Sequence, residues 1–198
     1  MMPIKFLSIF ILSYFSYSYC AANNFIDGMT IGSGPETNSN ADMDSYRVSF
    51  LWDWQQDWLK ESSWLLSGYY DLSLFYWENQ LNHQDNLSDE GNGSTTGISF
   101  SPVFRIKPRQ PLWNTLTPYV EIGVGATLLT HSRIVAKATS AVDLGSNFQF
   151  EDRIGLGLQI GSQQQFELGY RYIHYSNAGI ASDNDGIDFQ QIHLSFWF

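Results

Sequence analysis

The chain has 198 residues, 20 acidic against 10 basic, a net charge of −10 and 16% aromatic residues. That length fits one domain, and so acidic a balance excludes nucleic acid as a partner, because phosphates need a basic surface. Cys20 is the one cysteine, so no disulfide framework is expected.

The chain opens MMPIKFLSIFILSYFSYSYCAA, with Lys5 ahead of an apolar run from Phe6 to Phe15 and small residues at its end. This pattern predicts a secretory signal peptide over 1–22 and one mature domain over 23–198. The run is shorter than the roughly 20 apolar residues that span a bilayer as a helix. A bulky Tyr19 before Cys20 argues against a lipoprotein signal. Cleavage after Ala22 removes the cysteine and with it any thiol nucleophile.

From Tyr46 onward the signal is period-2 alternation, the mark of a strand whose side chains face opposite sides in turn. Tyr46, Val48, Phe50, Trp52 and Trp54 alternate with Arg47, Ser49, Leu51 and Asp53. The same holds for Ile98 to Ile106, Val120 to Thr127, Arg153 to Ile160 and Gln191 to Phe198. Strands are predicted near 25–32, 44–54, 63–77, 95–106, 117–128, 147–160, 165–176 and 187–198. One face is apolar and aromatic. The other carries Arg47, Asp71, Arg105, Glu121, Arg153, Glu167 and Arg171.

Alternation alone fits a soluble sandwich as well as a membrane barrel. Three features favour the barrel: strands of about ten residues, enough for a tilted span, charges that can pair inside a narrow lumen, and an aromatic last strand ending at Phe198. The last feature resembles the C-terminal assembly signal of bacterial outer-membrane proteins. The predicted fold is all-β, an eight-stranded antiparallel transmembrane β-barrel of the outer membrane. Its lumen is filled by side chains, which argues against a pore. The segments GSGPETNSNADM, ENQLNHQDNLSDEGNGS, THSRIVAKATSAVDLGS and NAGIASDNDG read as the long extracellular loops.

On the penultimate strand Phe166, Leu168, Tyr170 and Tyr172 share the apolar face, and the same parity carries His174 and Ser176 outward. Counting back by twos from Phe198 along the last strand reaches Gln190 and Asp188. A histidine, a serine and an aspartate then share one lipid-facing surface at the loop end. Polar groups there are costly to a structural barrel but suit an enzyme whose substrate is a membrane lipid. Neutral serine is a poor nucleophile, so a histidine must take its proton and a carboxylate must orient the ring. Asp183 and Asp185 compete with Asp188 for the last role.

The stretch HYSNAG, followed by a polar loop with NDGI and an acid, resembles the PagL-type outer-membrane lipid A 3-O-deacylases. The resemblance implies a serine esterase acting on the 3-linked acyl chain of lipid A, with His174, Ser176 and Asp188 as triad. It implies Asn177 and Gly179 as the oxyanion hole, a role that an amide and turn N–H groups can fill. The family acid is usually glutamate; this chain has aspartate, one methylene shorter. LGSNFQFEDRIGLG, from Leu144 to Gly157, also looks like family sequence.

The implied partner is lipopolysaccharide in the outer leaflet, with no cofactor and no metal; a homodimer is compatible with such a barrel. Two other functions remain open, a non-catalytic barrel serving adhesion or membrane integrity and an outer-membrane phospholipase. His83 and His131 read as solvated loop residues and His193 as a lumen residue. The loop NHQDNLSDEGNG reads as solvated rather than cation-binding, and the tryptophans and tyrosines as an interfacial girdle. Neither GxSxG, HExxH nor a phosphate loop occurs.

Overall fold

The computed structural model describes residues 25–37, 42–80, 92–112, 115–137 and 140–198. The expected signal peptide over 1–22, His83 and most of its acidic loop lie outside the described residues. The described chain forms β1 (Gly28–Pro35), β2 (Met43–Asp53), β3 (Trp64–Asn79), β4 (Ser94–Pro108), β5 (Leu116–Leu129), β6 (Arg133–Lys137), β7 (Ser140–Asp143), β8 (Phe148–Ile160), β9 (Phe166–Ser176) and β10 (Ile187–Trp197).

Eight of these close a barrel in the order β1-β10-β9-β8-β5-β4-β3-β2, every pair antiparallel. Closure leaves no unpaired edge, which is what lets strands cross a membrane. β1 begins later than the predicted 25–32, because its ladder with β10 pairs Gly28 with Trp197 and Ser33 with Ile192. The connection between β5 and β8, read from sequence as a plain loop, contains the β6–β7 hairpin.

The sandwich alternative is settled by which face is covered. Ile31, Val48, Leu74, Ile98, Val120, Ile122, Val124, Ile154, Leu156, Leu168, Ile192 and Leu194 are all exposed, while the charged set is buried. A soluble protein rarely exposes contiguous apolar area beyond a few hundred Å². A barrel in lipid does so all round.

Inside, the charges pair. Arg47 grips Glu151 with both terminal nitrogens, at 2.8 and 3.1 Å. Arg153 reaches Asp71 at 2.7 Å and Arg171 reaches Glu121 at 2.7 Å. Arg105 bridges Glu167 at 2.5 Å and Glu121 at 2.8 Å, with its guanidinium 3.9 Å from the Tyr119 ring centroid. The arginines Arg47, Arg105, Arg153 and Arg171 thus face an equal number of carboxylates, so the buried lumen charges balance. His193 lies in it as expected, with Nε2 3.1 Å from the Tyr119 hydroxyl.

Toward the loop end the lumen turns apolar. Met43, Phe75, Trp77, Leu129, Ile173, Tyr175, Ile187 and Phe189 pack with Ile134, Val142 and Leu144 from the hairpin segment. The hairpin therefore lids the barrel. Alternate residues of β9 and β10 anchor in this plug: Ile173 and Tyr175, Ile187 and Phe189. Their neighbours His174, Ser176 and Asp188 are held on rigid strands pointing the other way, which is where a site can be positioned most sharply.

Candidate active site

Register brings two of the three predicted residues, His174 and Asp188, into contact. Asp188 on β10 is the direct cross-strand partner of His174 on β9. Directly opposed residues hold their Cβ atoms roughly 5 Å apart, so even the short aspartate reaches. Its Oδ1 lies 2.6 Å from His174 Nδ1. The carboxylate is 4% exposed and the imidazole 39%. The acid is thus screened while the ring stays accessible. The Thr37 N–H donates to the Asp188 carbonyl at 3.0 Å.

With Nδ1 committed to the carboxylate, His174 Nε2 is the nitrogen left for proton transfer. Ser176 stands two residues further along the same face, a rise of roughly 6.6 Å, half-buried and opposite Phe150 of β8. Among the described residues its hydroxyl has no hydrogen-bond partner, His174 included. Gly186, at φ 69°, brings the returning loop over the ring. A Cβ there would sit 3.1 Å from His174 Cε1.

The competing acids have other partners. Asp185 Oδ2 accepts from the Asp143 N–H at 2.8 Å, and Asp183 Oδ2 accepts from Ser182 at 3.1 Å. Asp152 on β8, which the sequence did not single out, is the cross-strand partner of His174 on its other side and is exposed. The ring nitrogen is nonetheless bonded to Asp188.

Comparison with known proteins shows the family. The family model described as lipid A 3-O-deacylase (PagL) matches residues 44–197. A lipid A deacylase PagL of Pseudomonas aeruginosa is 37% identical over 144 residues, covering 73% of this chain and 72% of its own. The chain belongs to the lipid A 3-O-deacylase (PagL) family. The PagL of Bordetella bronchiseptica is likewise 37% identical, over 54% of this chain and 52% of its own length. A crystal structure of the outer membrane enzyme PagL superposes with a TM-score of 0.69 at 29% identity, covering 86% of this chain and 99% of that one. Neisserial surface protein A, at 8% identity and a TM-score of 0.52, shares the fold alone.

In this PagL-family chain the expected oxyanion donors, Asn177 and Gly179, are already engaged. Asn177 is fully buried, and its Nδ2 donates to the carbonyls of Leu144 at 2.8 Å and Asp183 at 2.6 Å. Its Oδ1 accepts the Gly179 N–H at 2.8 Å. Both residues therefore shape the turn after Ser176, and the HYSNAG signal that named them is a signal of architecture as much as of chemistry. Asn184 escaped notice in the sequence. Its Oδ1 accepts the Asn177 N–H at 2.9 Å, which turns the rest of its amide away from that bond. A sequence offers one sign of it, the NDG turn that brings the chain back toward the histidine.

Proposed function

We propose that this outer-membrane lipid A 3-O-deacylase cuts the ester-linked acyl chain at position 3 of lipid A with Ser176 as nucleophile, His174 as general base and Asp188 as the acid that orients the ring. The observation that carries the assignment is the 2.6 Å contact between His174 Nδ1 and Asp188 on the lipid-facing side of the loop end. Lipid A fills the outer leaflet, and its esters lie just below the sugars, at that level.

The Ser176 hydroxyl gives its proton to His174 Nε2 as Oγ bonds to the ester carbon. The tetrahedral intermediate collapses, and the C–O bond to the sugar breaks. The sugar oxygen takes the proton back from His174, leaving an acyl-enzyme. Water then attacks with the same base, the fatty acid leaves, and Ser176 regains its proton. Asp188 holds the tautomer and stabilises the charged ring at each stage. Every residue named comes from one chain, so the chemistry requires no second copy.

The test is mass spectrometry of lipid A from cells with and without the protein. Loss of a single 3-linked acyl chain is expected. Unchanged lipid A with released phospholipid fatty acid would identify a phospholipase instead, and no hydrolysis of either lipid by folded protein would leave a non-catalytic barrel. Asp188→Ala should lower kcat by roughly 10² to 10⁴-fold. Full activity in that variant would move the orienting role to Asp152, Asp183 or Asp185.

For the oxyanion we assign the Asn184 side-chain amide in place of that of Asn177. Its oxygen is fixed on the Asn177 N–H, and its Nδ2 has no partner among the described residues. Gly179 would have to share the hydrogen it gives Asn177. Removing an oxyanion donor costs about 10² to 10³-fold in kcat. Asn184→Ala is expected to fall in that range with KM little changed; unaltered kcat would return the role to backbone N–H groups.

A further inference from the structure

The connection carrying the hairpin does more than lid the barrel. The loop between Ser176 and Ile187 has almost no packing of its own: Ala178, Gly179, Ile180 and 182–185 are exposed, with Ile180 69% exposed. Beside its internal bonds through Asn177, the loop is held by the segment that leads from the hairpin into β8. The Asp185 N–H donates to the Asp143 carbonyl at 3.1 Å, and the Asp143 N–H donates to the Asp185 carboxylate at 2.8 Å. Leu144, fully buried in the apolar plug, offers its carbonyl to Asn177 Nδ2 at 2.8 Å. Gly145, at φ 66°, comes closest: a Cβ there would lie 2.0 Å from the Asp183 carbonyl oxygen and 3.0 Å from Asn177 Nδ2. Only glycine tolerates both that backbone conformation and that approach. Asp143 Oδ1 in turn accepts the Gly145 N–H at 2.9 Å, which holds the bend.

We propose that Asp143–Gly145 is a brace that sets the reactive geometry of the loop carrying Asn177 to Gly186, and that Gly145 and Asp185 are positioning residues for deacylation. This rests on the reading of Ser176 and His174 given above. The brace clamps the loop at both ends. Through Asn177 it fixes the turn that leaves Ser176, and through Asp183 and Asp185 it fixes the segment that presents Asn184 and lays Gly186 against His174. The hairpin thereby ties the plug inside the barrel to the chemistry on its outer wall, without touching substrate. A displacement of about 1 Å at a reacting group costs on the order of 10²-fold in rate.

The experiment compares purified full-length Gly145→Ala, Asp185→Ala, Asp185→Asn and Ser176→Ala in detergent with lipopolysaccharide as substrate. Barrel integrity is read by heat-modifiable gel migration. Gly145→Ala and Asp185→Ala should keep the folded migration and lose roughly 10² in kcat, with KM within about threefold. Asp185→Asn keeps the acceptor oxygen and should restore most of the activity. Wild-type kcat in both Gly145→Ala and Asp185→Ala overturns the brace. So does an Asp185→Asn variant as poor as Asp185→Ala, which would make the carboxylate itself the requirement, and so does a loss that tracks the unfolded fraction. An active Ser176→Ala would instead overturn the reading of the site, whatever the brace variants do.

Discussion

Ser176→Ala is expected to give a folded barrel that leaves lipid A intact, with kcat down by at least roughly 10⁴-fold. The clean separation of folding from activity follows from position. The serine faces outward from β9, is half-buried, and holds nothing else in place, since its hydroxyl has no partner among the described residues. The strand is anchored from the other face by Ile173 and Tyr175. His174→Ala should be as severe. Residues acting as one unit are grossly non-additive, so the double variant should be no worse than either single one. Lipid A profiles of the three variants, beside their heat-modifiable migration, make the measurement. A multiplicative loss in the double variant would mean that the two side chains act in separate steps.

The second large effect is on stability. Glu151→Ala should destabilise the barrel by about 3 to 5 kcal/mol, the cost of breaking a buried ion pair from one side. Glu151 sits at the centre of the lumen network. It accepts from Arg47 twice, from Ser99 at 2.8 Å, from Ser101 at 3.0 Å and from the Tyr175 hydroxyl at 3.0 Å. Its removal leaves a buried guanidinium with Tyr175, Ser73, the Phe75 ring at 5.8 Å and a longer 3.9 Å approach to Asp71. Replacing both partners with apolar residues, as in Arg47→Met with Glu151→Leu, removes the orphaned charge and should recover most of the loss. Urea midpoints in detergent would read both. An unmoved midpoint for Glu151→Ala would show that the lumen charges are not coupled. The site would feel the loss too, because Tyr175 lies between His174 and Ser176 in sequence and bonds Glu151 from inside.

The sequence by itself determined the eight barrel strands, their parity and the direction in which His174, Ser176 and Asp188 point. Alternation is a local property: successive side chains of an extended chain must face opposite ways whatever surrounds them. Counting by twos therefore placed Arg171 inside and His174, Ser176 and Asp188 outside without any tertiary information. HYSNAG then tied that face to a family. What no single strand contains is its lateral neighbour. Alternation could not say whether the charged face was the wet one or the buried one, and only closure of the barrel put Arg47 against Glu151 and left Val124 and Leu156 to lipid. Pairing of β9 with β10 chose Asp188 over Asp183 and Asp185 as the partner of His174, because register is set by the ladder and not by distance along the chain. The engagement of Asn177 is of the same kind, since its amide is spent on the carbonyl of Leu144, which reaches it only through the hairpin that folds over the barrel mouth. Composition and periodicity record which way a side chain points; what it meets there is decided by strands and loops far away in sequence.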